Sequence, residues 1–165
     1  MCGIVAMLSP DGRVLESGIR TMSQAVAHRG PDDDGTWFDL DAGVGLGHRR
    51  LSVIDLSPAG HQPMVSRDGC WVLTFNGEIY DRREHRTSLE TSGLSLRGHS
   101  DTEVLLELIA LDGVQGAVSA VDGMFALAAW DRHEQRLFLA RDRLGEKPLY
   151  YGRSGTALVA ASELT

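Results

Sequence analysis

A thiol stands directly after the first methionine, at Cys2. If Met1 is removed, Cys2 carries a free α-amine, whose ordinary pKa of about 8 leaves part of it neutral at cytoplasmic pH. That amine can accept the thiol proton, so that nucleophile and base stand on one residue. The alternative is a frayed chain end with a cysteine there by chance. The apolar run at residues 4–8 favours the first interpretation, because it predicts a strand that holds the terminus in a sheet.

The stretch FNGEIYD at residues 75–81 supplies candidate donors for a developing oxyanion. An amide side chain at Asn76 and a backbone N–H at Gly77 follow an apolar run, residues 70–75, which predicts a strand that ends at Asn76. Each such donor can stabilise a transition state by about 2.7–4 kcal/mol. The alternative is a hairpin turn, since Asn-Gly between apolar runs is a strong hairpin signal. The charged residues 81–86 that follow do not predict a returning strand.

Two further charges could hold a substrate that carries both a carboxylate and an ammonium group. Arg50 lies in a strand-like run and could bind a carboxylate through two parallel hydrogen bonds. Asp101 could hold the ammonium group. The alternatives are a surface arginine with a solvated head and an acid in the first turn of a helix, where it favours the helix dipole. For Asp101 both roles can hold together.

Composition excludes several classes of function. The net charge of −7 argues against a nucleic-acid partner or an anionic membrane surface. No signal peptide, membrane-spanning run, phosphate-binding glycine loop or metal-ligand spacing is visible. The acids at residues 32–34 follow Gly30-Pro31, which favours a polar turn over a magnesium site. Two cysteines exclude a disulfide framework, so we expect a reducing, cytoplasmic location and no metal.

The elements that must position these residues follow from hydrophobic periodicity. Apolar residues recur at helical spacing over residues 15–27, and Ser100 with Glu103 forms a capping-box pattern before a second helix. Short strands are predicted at residues 4–8, 37–38, 44–51, 70–75, 124–130, 136–140, 149–151 and 157–161. The order does not alternate as βαβ units, so it predicts an α+β fold of antiparallel sheets between helical layers. No linker divides residues 1–165, which form one domain.

Seven stretches together resemble the glutaminase domain of glutamine-hydrolysing asparagine synthetase. In order they are MCGIVA, HRGPDDDG, GHRRLSVIDLSPAGHQPM, FNGEIYD, SDTEVLLELI, DGMFALAAWD and RDRLGEKPLYYG, and they span nearly the whole sequence. The resemblance implies a class II glutamine amidotransferase of the N-terminal-nucleophile hydrolase type. The implied fold is an αββα four-layer sandwich.

The resemblance also implies a role for each site residue. Cys2 would be the nucleophile after loss of Met1, and Asn76 and Gly77 would form the oxyanion hole. Arg50 would bind the α-carboxylate of L-glutamine, and Asp101 would pair with its amino group. The remaining substrate-binding positions would be Glu78, near the amino group, and the backbone of Leu51, Ser52, Val53 and Ile54.

In the resembled family a C-terminal synthetase domain, absent from residues 1–165, receives the ammonia and uses ATP and Mg²⁺; no cofactor is expected in the glutaminase domain. L-Glutamine and that synthetase domain are the expected partners, and a homodimer is left open. Two rival functions remain: a non-catalytic glutamine-binding or regulatory domain of the same fold, and an N-terminal-nucleophile hydrolase acting on another amide.

Overall fold

The computed structural model describes residues 1–11, 15–53 and 57–164. Its strands and helices follow the chain in an order close to the predicted one. The strands are β1 (Gly3–Leu8), β2 (Asp33–Asp39), β3 (Val44–Arg50), β4 (Met64–Val65), β5 (Trp71–Ile79), β6 (Gly123–Asp131), β7 (Arg136–Arg141), β8 (Tyr150–Ser154) and β9 (Ala157–Ala161), and the helices are α1 (Leu15–Ala25), α2 (Arg82–Thr91) and α3 (Asp101–Ala120).

Two antiparallel sheets pack face to face. One has the order β2-β3-β1-β9-β8 and the other the order β4-β5-β6-β7. Between them lies an apolar cluster that includes Leu46, Val72 and Trp130. The α+β fold class and its αββα layering are therefore confirmed, because helices cover the outer faces.

Each outer helical layer has its own core. Helix α1 buries Leu15 and Ile19 against the five-stranded sheet. Helix α3 buries Leu105 and Ile109 against the four-stranded sheet, and α2 packs on α3. The predicted capping box is half formed, since the Ser100 hydroxyl accepts a hydrogen bond from the Glu103 N–H.

Several predicted boundaries were wrong. Strand β5 does not end at Asn76-Gly77 but continues to Ile79, because Asn76 and Gly77 pair with Ala126 and Phe125 of β6. The acids at residues 33–34 begin β2 and are not a turn. Helix α1 stops at Ala25, and a separate 3₁₀ turn follows at Ala27–Arg29. Helix α2 and strand β4 were not predicted.

Among the described residues, no helix is long and apolar enough to cross a membrane.

Candidate functional site

A cavity of about 200 Å³ opens where β3, β5 and the start of α3 meet. Its volume is below the range typical of pockets for drug-sized ligands, which suits a small metabolite. The predicted site residues converge on it even though they are far apart in the sequence. Those that line it are Cys2, Arg50, Leu51, Ser52, Val53, Asn76, Gly77, Glu78 and Asp101. Ile54 lies outside the described residues.

The thiol of Cys2 is half-buried at the wall of this cavity. Its Sγ lies 3.4 Å from the Leu51 N–H, which donates to it, and 3.7 Å from the Leu51 carbonyl oxygen. Strand β1 begins one residue later, between β3 and β9. The nucleophile candidate is therefore attached to a central strand of the sheet.

Side chains from distant parts of the chain hold this terminus in place. The buried Arg29 donates from Nε to the Cys2 carbonyl oxygen at 2.9 Å and from Nη1 to Glu163 at 2.7 Å. Ser162 exchanges two hydrogen bonds with the backbone of Ile4, each 3.0 Å long. These contacts exclude a frayed end. The sequence shows Arg29 only as part of HRGPDDDG, and no local pattern there predicts its contact with Cys2.

The open edge of β5 faces the cavity. In an antiparallel strand, the N–H and C=O groups of alternate residues point to opposite neighbours. The N–H groups of Phe75 and Ile79 point away from β6 and are bonded by the side chains of Gln62 and Asp101. The same alternation places the Gly77 N–H between them on this edge, at the cavity wall. A strand residue can therefore offer its backbone donor to a ligand.

Gly77 is required at this position by packing. A Cβ atom built there would lie 2.4 Å from the Met124 carbonyl oxygen of β6. A side chain would push the two strands apart at the point where the N–H meets the cavity.

Asn76 supplies a second donor from the inter-sheet face of the same strand. Its side chain is 2% exposed and shares that face with Thr74, which donates to the Gly47 carbonyl oxygen of the other sheet. Among the described residues the Asn76 Nδ2 has no hydrogen-bond partner. A buried donor without a partner is costly, and a ligand in the cavity could accept its hydrogen bond.

Arg50 is buried and also lines the cavity. Its Nη1 donates to the Ser57 carbonyl oxygen at 3.1 Å and lies 4.0 Å from the Asp33 carboxylate. Gly60 makes room for the guanidinium, since a Cβ there would lie 2.1 Å from Nη2. The alternative of a surface arginine with a solvated head is excluded. A buried guanidinium at a cavity wall is suited to bind a carboxylate.

Asp101 stands at the first position of α3. Its Oδ2 accepts the Ile79 N–H at 3.0 Å, and its Oδ1 lies 3.1 Å from Arg82 Nε. That N–H is not directed at Oδ1, which has no hydrogen-bond partner among the described residues. Burial raises the pKa of Asp101, and the Ile79 hydrogen bond and the Arg82 charge oppose that rise. One carboxylate oxygen is thus left for a cationic group, beside the exposed Glu78.

A second cavity does not match the predicted chemistry. A larger groove of about 700 Å³ lies between α1 and the hairpin β8–β9, but apolar side chains dominate its lining and Cys2 does not reach it. Within residues 1–11, 15–53 and 57–164, no three His, Cys, Asp or Glu side chains are grouped to hold a metal ion.

Comparisons with known proteins show which family the chain resembles. A family model described as "Glutamine amidotransferase domain" matches residues 1–165. The chain is 41% identical over 167 residues to "Asparagine synthetase [glutamine-hydrolyzing] 1" of Bacillus subtilis, a match that covers 99% of this chain and 26% of that protein. It is 38% identical over 175 residues to "Amidase chry2" of Gibberella zeae, covering 99% of this chain and 26% of that protein.

A solved structure shares the fold. The glutamine phosphoribosylpyrophosphate amidotransferase of B. subtilis, complexed with ADP and GMP, superposes with a TM-score of 0.76 at 22% identity. That match covers 98% of this chain and 42% of the other. Both kinds of relative are much longer than this sequence of 165 residues.

Proposed function

Because the chain belongs to the glutamine amidotransferase family, we propose that it hydrolyses L-glutamine through a thioester at Cys2. One observation carries the proposal: an anchored thiol and a buried amide donor without a partner, Asn76 Nδ2, line the same small cavity. Loss of Met1 is part of the proposal, since it frees the α-amine that would act as base. Met1 is 57% exposed, which supports its removal by an aminopeptidase.

The proposed binding mode uses side chains of opposite charge that line the same cavity. Arg50 binds the α-carboxylate, and backbone groups of Leu51, Ser52 and Val53 line the pocket beside it. Asp101 and Glu78 accept the α-ammonium group. This arrangement directs the side-chain amide of glutamine towards Cys2.

The chemical steps follow from these positions. The α-amine takes the Cys2 proton, and the thiolate attacks the side-chain amide carbon of glutamine. Asn76 Nδ2 and the Gly77 N–H stabilise the oxyanion. The α-ammonium then gives its proton to the leaving nitrogen, so that the C–N bond breaks and ammonia departs. Water hydrolyses the γ-glutamyl thioester, which releases glutamate and restores the thiol.

The proposal also concerns the partner domain that would receive the ammonia. The chain spans about a quarter of the curated relatives it matches. We therefore propose that a C-terminal synthetase domain, with ATP and Mg²⁺, receives the ammonia in a cytoplasmic enzyme of the asparagine synthetase type. No cofactor takes part in the glutaminase cycle itself.

The test is glutamate release from glutamine by protein whose N-terminus begins at Cys2. Cys2→Ala should abolish release, and Cys70→Ser should leave it unchanged. Cys70 is a matched control because it is the second cysteine and does not line the cavity. Asn76→Ala should lower kcat by about 10²–10³-fold. Hydrolysis that survives in Cys2→Ala would refute the proposed nucleophile.

A glutamine-binding domain without catalysis is the second candidate. Met1 also lines the cavity, and its sulfur lies 4.0 Å from Arg29 Nη2. A retained Met1 would block the α-amine and leave binding only. Mass spectrometry of the N-terminus, on protein from its own host, separates the two functions.

A further inference from the structure

Two buried polar side chains, Gln62 and His48, have no part in the proposed chemistry. Both bond the backbone of the same residue of β5, Phe75, one residue before Asn76. Gln62 Oε1 accepts the Phe75 N–H at 2.7 Å, and His48 Nε2 donates to the Phe75 carbonyl oxygen at 3.1 Å. Gln62 is 5% exposed and His48 is 1% exposed. These bonds therefore lie in an interior where an unmade hydrogen bond is costly.

The short β4 explains why side chains are needed here. Strand β4 pairs only with Val72 and Leu73, so the edge of β5 beyond them has no neighbouring strand. Buried backbone groups require partners, and at Phe75 two side chains take the place of the strand. The next edge donor, at Gly77, is the one that the proposed mechanism uses.

Gln62 also reaches the other half of the site. Its Nε2 donates to the Thr102 hydroxyl at 2.9 Å, and Thr102 directly follows Asp101 in α3. One side chain thus connects the strand that carries the oxyanion donors to the helix that carries the ammonium partner. Asp101 makes a second connection between the same strand and helix, because it accepts the Ile79 N–H.

We propose that Gln62 and His48 are positioning residues for the hydrolysis of glutamine. They hold the N–H and carbonyl groups of Phe75 so that Asn76 Nδ2 and the Gly77 N–H stay aimed at the oxyanion, at a fixed distance from Asp101. The inference rests on the proposed function, because it assigns those donors to that reaction. The inference distinguishes two groups of contacts. Arg50 and Asp101 bind the substrate in its ground state, whereas the two donors on β5 stabilise the transition state.

The test compares variants that each remove one of the two side-chain hydrogen bonds to Phe75. Gln62→Met and His48→Leu should lower kcat for glutamine about tenfold to a hundredfold, since a shift of about 1 Å can cost that much. KM should change less than about threefold. His48→Gln keeps a side-chain N–H near the position of Nε2 and should restore most of kcat.

Ser66→Ala is the matched control. The buried Ser66 hydroxyl accepts the Trp71 N–H at 2.9 Å, on the same edge of β5 but outside the cavity. It should lower stability comparably and leave kcat unchanged. If Gln62 and His48 only stabilise the fold, the three variants at these positions and Ser66→Ala should have the same kcat and KM once the values are corrected for the folded fraction. That result would overturn the proposal.

Amide hydrogen exchange separates this proposal from the proposed function. Exchange at Phe75 and Gly77 should accelerate at least about tenfold in Gln62→Met relative to Ser66→Ala. If the wild-type protein hydrolyses no glutamine, the proposed function fails and the kinetic role with it. If hydrolysis occurs but exchange and kcat in Gln62→Met match Ser66→Ala, only the positioning role is refuted.

Discussion

Replacing His48 by glutamine should make the protein less sensitive to acid. His48 is fully buried, and its Nε2 carries the proton because the Phe75 carbonyl oxygen can only accept. Burial lowers the pKa of His48 from 6.5 to about 3, and the Arg50 charge acts in the same direction. The imidazole therefore stays neutral in the folded protein, whereas in the unfolded chain it takes up a proton below pH 6.5.

The magnitude follows from linkage. Between pH 6.5 and about pH 3 the unfolded chain binds one more proton than the folded chain at this residue. The free energy of unfolding then falls by about 1.4 kcal/mol for each pH unit of acidification. From pH 6.5 to pH 5 the loss is roughly 2 kcal/mol, a large share of the roughly 5–15 kcal/mol of an ordinary domain. Burial also raises the pKa values of Asp101 and Glu107, which opposes this loss. Both proteins share that contribution, so their difference isolates His48.

The assay is urea unfolding of the wild-type protein and His48→Gln at several pH values between about 7.5 and 5. The wild-type protein should lose roughly 2 kcal/mol more than the variant over that range. The exposed His133, in the turn between β6 and β7, gives the matched control His133→Gln, which should follow the wild-type curve. Parallel curves for the wild-type protein and His48→Gln would refute the assignment of a buried neutral imidazole.

Three further changes test the site. Gly60→Ala would place a Cβ 2.1 Å from Arg50 Nη2. Displacement of the guanidinium should then raise KM for glutamine about tenfold, a loss of roughly 1.4 kcal/mol in binding. An unchanged KM would contradict the role of Arg50. Because burial raises the pKa of Asp101, KM should rise as the pH falls through that raised pKa, whereas Asp101→Asn should show a high KM that is independent of pH. Arg29→Met removes the hydrogen bond to the Cys2 carbonyl oxygen and should lower both kcat and, by about 1–3 kcal/mol, the free energy of unfolding; wild-type values for both would show that the terminus is held without it.

Local signals predicted the fold well where one element carries a complete pattern. The Ser100 cap and the apolar stripe behind it identified α3 because both lie within a few residues. Helix α2 was missed because Leu89 is both its one apolar residue and its one buried residue, so its sequence contains no apolar stripe. The turn signal of Asn76-Gly77 was overridden by pairing with β6, an interaction across about fifty residues that no local pattern contains.

The residues of the candidate site also fall into two groups, those that the sequence predicted and those that it did not. Residues with distinctive chemistry, such as Cys2, Arg50 and Asp101, were found from residue type and resemblance, and the structure brings them to one cavity. Their individual roles stay predictions. Arg29, His48 and Gln62 were missed because each is defined by hydrogen bonds to residues far along the chain, and a lone histidine or glutamine in a sequence says nothing of such partners.

Strand β4 is two residues long, and it leaves most of the β5 edge without a neighbouring strand. A longer β4 would add stability and block the edge that the proposed activity uses. Four more residues of pairing along β5 would reach Gly77. They would satisfy the edge with backbone instead of side chains, and would close the space where the proposed mechanism places the substrate. A variant selected only for resistance to heat could therefore gain by extending this hairpin and become an inert protein of the same fold. Selection for stability alone would therefore complete the sheet at the one edge that the proposed activity needs open.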